Sequence, residues 1–172
     1  AMSYYVIIAT AGHDTTSSST AGGMLALLQH PEELQKVINN PDLMPLMVDE
    51  AIRWTSPVKH FMRYPERSYE LRGKTIEAGS PVMLLYPSGN RDEEVFDRPQ
   101  SFLADRRPNR HLAFGHGAHH CLGNLLAKME IRFLYEAMFN RIKTFELLGE
   151  PRWVESTFVS GLKTLPVRIT PK

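Results

Sequence analysis

The stretch Phe114-Gly115-His116-Gly117-Ala118-His119-His120-Cys121-Leu122-Gly123 places the chain's single cysteine at the end of a glycine-rich run and the start of an apolar helical pattern. A sulfur at a helix N-terminus meets backbone N–H groups and the positive end of the helix dipole, which favour thiolate over thiol. Such a sulfur is a metal ligand or a nucleophile. Gly115, Gly117 and Gly123 remove side chains where a flat, bulky group would need backbone within contact distance, and His119 offers it a polar anchor. Two other readings stand beside this one. A lone cysteine is often a small, inert hydrophobe. His111, His116, His119, His120 and Cys121 also form a ligand-rich cluster, but adjacent residues rarely face one ion, and no second cluster completes a tetrahedral zinc site.

A second group lies near the start, in Ala11-Gly12-His13-Asp14-Thr15-Thr16. Glycine costs about 1 kcal/mol against alanine inside a helix, and Asp and Thr compete for backbone hydrogen bonds, so these are poor mid-helix choices. One account is a break at residues 11–13 with Asp14 capping a new helix; the other is chemistry. A third group is Glu50 and Arg53, at a spacing that puts both on one helix face, where a surface pair is the default.

The elements that must position these groups follow from periodicity. Residues 3–29, 31–38 and 43–54 carry apolar side chains at three-and-four spacing and read as helices, punctuated by Pro31, Pro41 and Pro57. Pro31 suits a first turn, with Glu32 and Glu33 at the dipole's positive end. Residues 58–102 turn to short apolar segments cut by Gly73, Gly79, Pro81, Pro87 and Gly89, which predicts strands and turns. Residues 98–122 form a long aperiodic loop rich in Arg, Pro, His and Gly, the kind that carries function in a compact domain. Beyond it Leu122, Leu125, Leu126, Met129, Phe133 and Ala137 mark one helix face. Phe158-Val159 and residues 165–169 flank Gly161 in the pattern of a terminal hairpin. The fold class is therefore mainly α with a small β-sheet (α+β).

Composition narrows the function classes. The 172 residues are 42% hydrophobic and 23% charged, an ordinary globular balance that excludes wholesale disorder. A formal charge of +1 leaves no global excess to attract nucleic acid or an anionic membrane. One cysteine excludes an internal disulfide framework and every site built on two thiolates, and points to a reducing, cytoplasmic setting. The longest apolar run, residues 4–11, falls short of the ~20 residues of a spanning helix, and it lacks the basic leader of a signal peptide.

The spacing of Phe114, Gly117, Cys121 and Gly123, with His119 two before the cysteine, resembles the haem-binding loop of the cytochrome P450 family, soluble bacterial type. The resemblance implies that Cys121 is the thiolate ligand of the iron of haem b, a ligand that pushes electron density to favour O–O cleavage. Phe114, Gly115, Gly117 and Gly123 would then shape the cofactor loop. Residues 11–16 resemble the family's distal-helix signature. They imply Ala11 and Gly12 along an oxygen groove in a locally widened helix, and Asp14 and Thr15 as a proton relay. Glu50 and Arg53 resemble the Glu-x-x-Arg pair, which a second arginine, matched by Arg106, joins in a structural network. Resemblance assigns the haem propionates to Arg63, His111 and His119, and a substrate pocket to Pro57, Val58, Phe158 and Val159. It divides the chain into distal and Glu-x-x-Arg helices (1–57), strands and cysteine loop (58–120), and proximal helix and terminal hairpin (121–172).

The implied activity is that of a monooxygenase inserting one atom of O2 into a small apolar organic substrate. Six basic residues against two acidic ones lie in residues 98–132, and Arg107, Arg110, Lys128 and Arg132 would steer an acidic ferredoxin-type electron donor. Family chains are more than twice this length. The expectation is of a C-terminal portion whose exposed helix faces favour a homodimer or an element-exchanged oligomer. A non-catalytic haem-binding fragment and a haem-free structural fragment are the alternatives.

Overall fold

The computed structural model describes residues 2–172. The first helix, α1, is Met2–Gln29, followed by α2, Pro31–Asn39, and α3, Met44–Thr55. These bounds lie within two residues of those the periodicity predicts. Pro31 opens α2 with Glu32 and Glu33 in its first turn, while the Asn40 side chain accepts from Asp42 N (3.3 Å) in the short 3-10 turn that leads to α3. Ser56 ends α3 in a left-handed conformation (φ 42°), fully buried, with its hydroxyl donating to the Arg53 carbonyl (2.7 Å).

Of the two accounts of residues 11–16, the break is absent, and so is the local widening that the resemblance implies: α1 is one regular α-helix through Asp14, without a cap there and without a wide turn. Its hydroxyls explain why. Thr15 donates to the Ala11 carbonyl at 2.8 Å, and Thr10 and Thr20 donate four residues back to Val6 (2.9 Å) and Thr16 (2.8 Å). Satisfied within the helix, they no longer compete with it.

Only the C-terminal half of α1 is buried, from Ser19 to Leu27, against α3 and α5 (Asn124–Arg141). Gly22 and Gly23 permit that crossing. A Cβ on Gly23 would stand 2.6 Å from Ala51 Cβ and 2.7 Å from Tyr135 Oη, and one on Gly22 would stand 2.3 Å from Thr55 Cγ2. Tyr135 is wholly buried and donates to the Thr20 carbonyl at 2.6 Å, and burial holds its phenol far above the ordinary value. Around these sit Met24, Leu27, Met47, Val48, Ile52 and Phe102, the centre of the core.

The strands make four separate two-stranded antiparallel ladders instead of one small sheet. β1 (His60–Arg63) pairs with β4 (Val82–Leu85), and β2 (Tyr69–Leu71) with β3 (Lys74–Ile76). A single turn of helix, α4 (Tyr86–Gly89), follows β4. β5 (Ile142–Leu147) pairs with β8 (Val167–Pro171), enclosing β6 (Arg152–Trp153) and β7 (Leu162–Thr164). The expected terminal hairpin is thereby corrected. Phe158 and Val159 are not one arm of it, because Val159 bridges back to Val58 and residues 167–171 take β5 as partner.

On α5 the apolar face marked by the periodicity is one of the exposed helix faces expected: Leu122, Leu125, Leu126, Met129 and Phe133 are exposed, and Ile131 and Tyr135 are the buried positions. The apolar stripe marks a surface on which these residues pack nothing. The same holds for Val6, Ile7 and Ile8 of α1.

Candidate functional site

The cysteine loop is closed by its own backbone. Cys121 N donates to the Phe114 carbonyl (2.9 Å), Gly115 N to Leu112 (2.8 Å) and His120 N to Gly117 (3.0 Å). Gly115 and Gly117 take φ of +71° and +74°, the left-handed region that only glycine enters without cost. Cys121 stands three residues ahead of α5, and its carbonyl accepts from Asn124 Nδ2 at 2.8 Å. This sets a free, half-buried thiol beside the first turn of the helix, with its sulfur 3.9 Å from where a Cβ on Gly123 would lie.

The scaffold beneath that loop is an ion network without solvent. Glu50 and Arg53 are both 0% exposed. Arg53 meets Glu50 through Nε (2.7 Å) and Nη2 (2.8 Å), and Arg106 Nε adds a bond at 2.9 Å. The remaining capacity of the carboxylate is filled by Leu103 N (2.9 Å) and Asn109 Nδ2 (3.1 Å). Both guanidinium groups then spend their other donors on loop carbonyls. Arg53 reaches Asn90, Pro99 and Ser101, and Arg106 reaches Asp97, Arg98 and Ser101. Phe96 lies beneath both, 5.3 and 5.9 Å from the guanidinium carbons. The residues expected to form a trio do meet, and together they shape residues 97–109 ahead of the cysteine.

Two members of this scaffold carried no signal in the sequence. Asn90, fully buried, donates through Nδ2 to Ser56 Oγ (2.7 Å) and accepts from Leu112 N (2.6 Å), which ties the end of α3 to the cysteine loop. Glu33, also buried, accepts from Ala104 N at 2.7 Å and pairs with Lys36 at 2.9 Å, which pins α2 to the same segment. A polar residue just after a tight turn and an acid in a first helical turn have ordinary local roles. Their long-range partners are the Leu112 and Ala104 backbone N–H groups and the Ser56 hydroxyl, which neither residue type announces.

His111 has a side chain only 6% exposed. Its Nε2 stands 3.5 Å from Asp49 Oδ1, which also lies 2.6 Å from Lys128 Nζ; its Nδ1 is buried without a partner. Oδ1 is charge-paired to Lys128 and faces the His111 ring edge, but neither approach makes a directional hydrogen bond. Burial pushes the Asp49 carboxyl up, yet His111 and Lys128 together outweigh it and hold the group below its ordinary value of 3.8. The sign for stability follows. A depressed carboxyl contributes fully above its unfolded value, and the contribution fades as pH falls through the lowered one. Asp49→Asn is accordingly expected to leave a denaturation midpoint less sensitive to pH below about 4 than in the unaltered chain, with a parallel pH profile as the contrary result.

Arg63 ends β1, half-buried, with Nη1 donating to the Met62 carbonyl at 2.8 Å. His119 closes the 3-10 turn Gly117–His119 and is exposed. Asp14 is 73% exposed and paired with His13 Nδ1 at 2.9 Å, and Gly12 has open space around it. The four residues expected to line a pocket come together as backbone. Lys59 N donates to the Phe158 carbonyl (2.9 Å), Ser160 N to Pro57 (2.6 Å), and Val58 bridges Val159. Phe158 stacks edge-on against His60 and Phe61. A separate cleft between α1, α3 and residues 150–162, bordered by Leu25, Trp54, Arg91 and Trp153, includes none of the cysteine-loop residues.

Comparison with known proteins places these features in one family. The cytochrome P450 family model matches residues 4–167. Cytochrome P450-terp of Pseudomonas sp is 53% identical over 97% of this chain and 39% of its own length. A steroid C26-monooxygenase of Mycolicibacterium smegmatis is 38% identical over 96% of this chain and 42% of its own. The crystal structure of CYP108D1 from Novosphingobium aromaticivorans superposes with a TM-score of 0.93 at 48% identity, covering 98% of this chain and 41% of that one. The chain thus spans about 40% of the length of these relatives. With the model covering all but a few terminal residues and the same fold at high identity, the chain belongs to the cytochrome P450 family.

Proposed function

We propose that this chain carries the haem-thiolate site of a monooxygenase acting on a small apolar organic substrate. The observation that carries this reading is the setting of Cys121: a free thiol at the end of a loop that two left-handed glycines shape, just ahead of α5. Two further observations support the fit of a haem. His111 Nδ1 is a buried donor or acceptor without a partner, suited to a propionate. A Cβ on Gly12 or Gly117 would meet nothing within 4 Å, so both positions border open space.

Cys121 would hold the iron through its thiolate, with Phe114 and the loop glycines against the ring, and Arg63, His111 and His119 would meet the two carboxylates. A bound haem supplies the activation of O2, which protein side chains cannot perform alone. The chain's own part is positional. The Glu50, Arg53 and Arg106 network keeps the loop shape, and Val58, Phe158 and Val159, with Pro57 buried beside them, would offer apolar side chains to the substrate. Asp14, exposed and ionisable, would take up protons from solvent, and the Thr15 hydroxyl would hand one to the oxygen side of the site by giving up its bond to the Ala11 carbonyl, Asp14 then replacing the proton. Exposed Arg107 and Arg110 carry the positive charge suited to a ferredoxin-type electron donor, while Lys128 and Arg132, also expected to steer it, are paired with Asp49 and Glu136.

Proton delivery gives the test. With haem, O2 and a reductant, Asp14→Asn and Thr15→Val are each expected to slow oxygenation by about 100-fold while haem affinity stays unchanged. Turnover equal to that of the unaltered chain would remove both residues from the relay.

A further inference from the structure

Asp49 belongs to no motif, yet it faces a buried imidazole that has an unpartnered nitrogen. It sits on α3 beside Glu50, and its Oδ1 lies 3.5 Å from His111 Nε2. Lys128 of α5 approaches the same oxygen at 2.6 Å and also lies over the Phe114 ring, 5.7 Å from its centre. His111 packs against that ring as well, at 5.7 Å. Three elements therefore meet at this carboxylate: α3, the cysteine loop and α5.

The chemistry of imidazole gives the meeting a consequence. A neutral ring has one N–H and one bare nitrogen, so it cannot donate at both edges, whereas the ring with both protons donates twice and carries a positive charge. A buried positive ring needs a counter-charge. Asp49 supplies it at the Nε2 edge, which leaves Nδ1–H for a second carboxylate. We propose that Asp49 is a positioning residue for the cofactor: its charge compensates a doubly protonated His111 ring at the Nε2 edge so that Nδ1 donates to a haem carboxylate. Lys128 shares the Asp49 charge and moderates the effect. The proposal rests on the haem reading above and adds to it a residue that does not itself touch the cofactor.

The test compares the binding of haem with that of haem dimethyl ester, which has the same ring and iron but no carboxylates. Affinities are read from the absorption band of the bound group, with far-ultraviolet circular dichroism to confirm folding. The unaltered chain is expected to prefer haem. Asp49→Asn is expected to reduce that preference by about tenfold through weaker haem binding, with ester binding unchanged. In a His111→Gln background, Asp49→Asn is expected to change the preference no further, because its route is gone. Lys128→Met, which leaves Asp49 to His111 alone, is expected to keep the preference at or above its original value, and this variant serves if Asp49→Asn does not fold.

Equal weakening of haem and ester by Asp49→Asn would make the residue a structural bridge only and overturn the proposal. An undiminished effect without His111, or a preference that falls in Lys128→Met, would overturn it too. A chain that binds neither porphyrin would instead overturn the haem reading on which the proposal stands.

Discussion

Glu50→Gln is expected to destabilise the chain by ~3–5 kcal/mol, because it removes one charge from a desolvated network and leaves two buried guanidinium groups without their counter-ion. Arg53 is entirely buried and Arg106 nearly so, and both bond the same carboxylate. The loss would spread beyond the pair. Leu103 N and Asn109 Nδ2 also end on Glu50, and the arginines hold five carbonyls between Asn90 and Ser101. A neutral amide of the same shape offers one acceptor where the carboxylate offers two. Chemical denaturation checks the magnitude, and limited proteolysis within residues 97–112 checks the location. A loss under about 1 kcal/mol would mean the network behaves like an exposed pair.

Cys121→Ala has the largest expected effect on cofactor binding. Substituting outer-shell partners of a metal typically lowers affinity by about 10–100-fold, so under the proposed haem reading the loss of Cys121 as ligand is expected to cost more than about 100-fold in haem affinity. The fold should survive. Cys121 touches the rest of the chain mainly through backbone, its N–H to Phe114 and its carbonyl to Asn124, and alanine keeps both bonds. Titration with haem, read by absorption, gives the affinity, and thermal unfolding confirms the scaffold. Haem affinity equal to that of the unaltered chain would assign the ligand to another residue.

How far these features are legible in the sequence depends on the range of the interaction that sets them. The bounds of α2 and α3 are local, set by Pro31 with two acids and by the left-handed stop at Ser56. The cysteine loop is local as well, since its glycines and its closing bonds lie within ten residues. Continuity of α1 through Asp14 was less legible. The propensities of Gly12, Asp14 and Thr15 argue for a break, but the hydroxyl bonds from Thr10, Thr15 and Thr20 reconcile the sequence with a helix.

Which face of α5 is buried is not legible, for a different reason. Periodicity reports that Leu122, Leu125, Leu126, Met129 and Phe133 share a face, and it says nothing of which layer covers that face. Ile131 and Tyr135, fewer but opposite Gly23 and Ala51, settle the packing within this chain. Strand partners in the last thirty residues failed in the same way. Alternation locates short strands, while register and pairing come from contacts such as Val58 with Val159. The roles of Asn90, Glu33 and Asp49 are not legible because each acts on a group more than twenty residues away, although Glu33 also fits its first-turn position.

The central claim is that these residues alone build a thiolate-ligated haem site. The most direct measurement is an absorption spectrum of the chain loaded with haem, reduced with dithionite and exposed to carbon monoxide, beside the same spectrum of Cys121→Ala. The account predicts a strongly red-shifted band in the unaltered chain that is absent from Cys121→Ala. A chain that stays folded without that band, or a band that persists in Cys121→Ala, would contradict it.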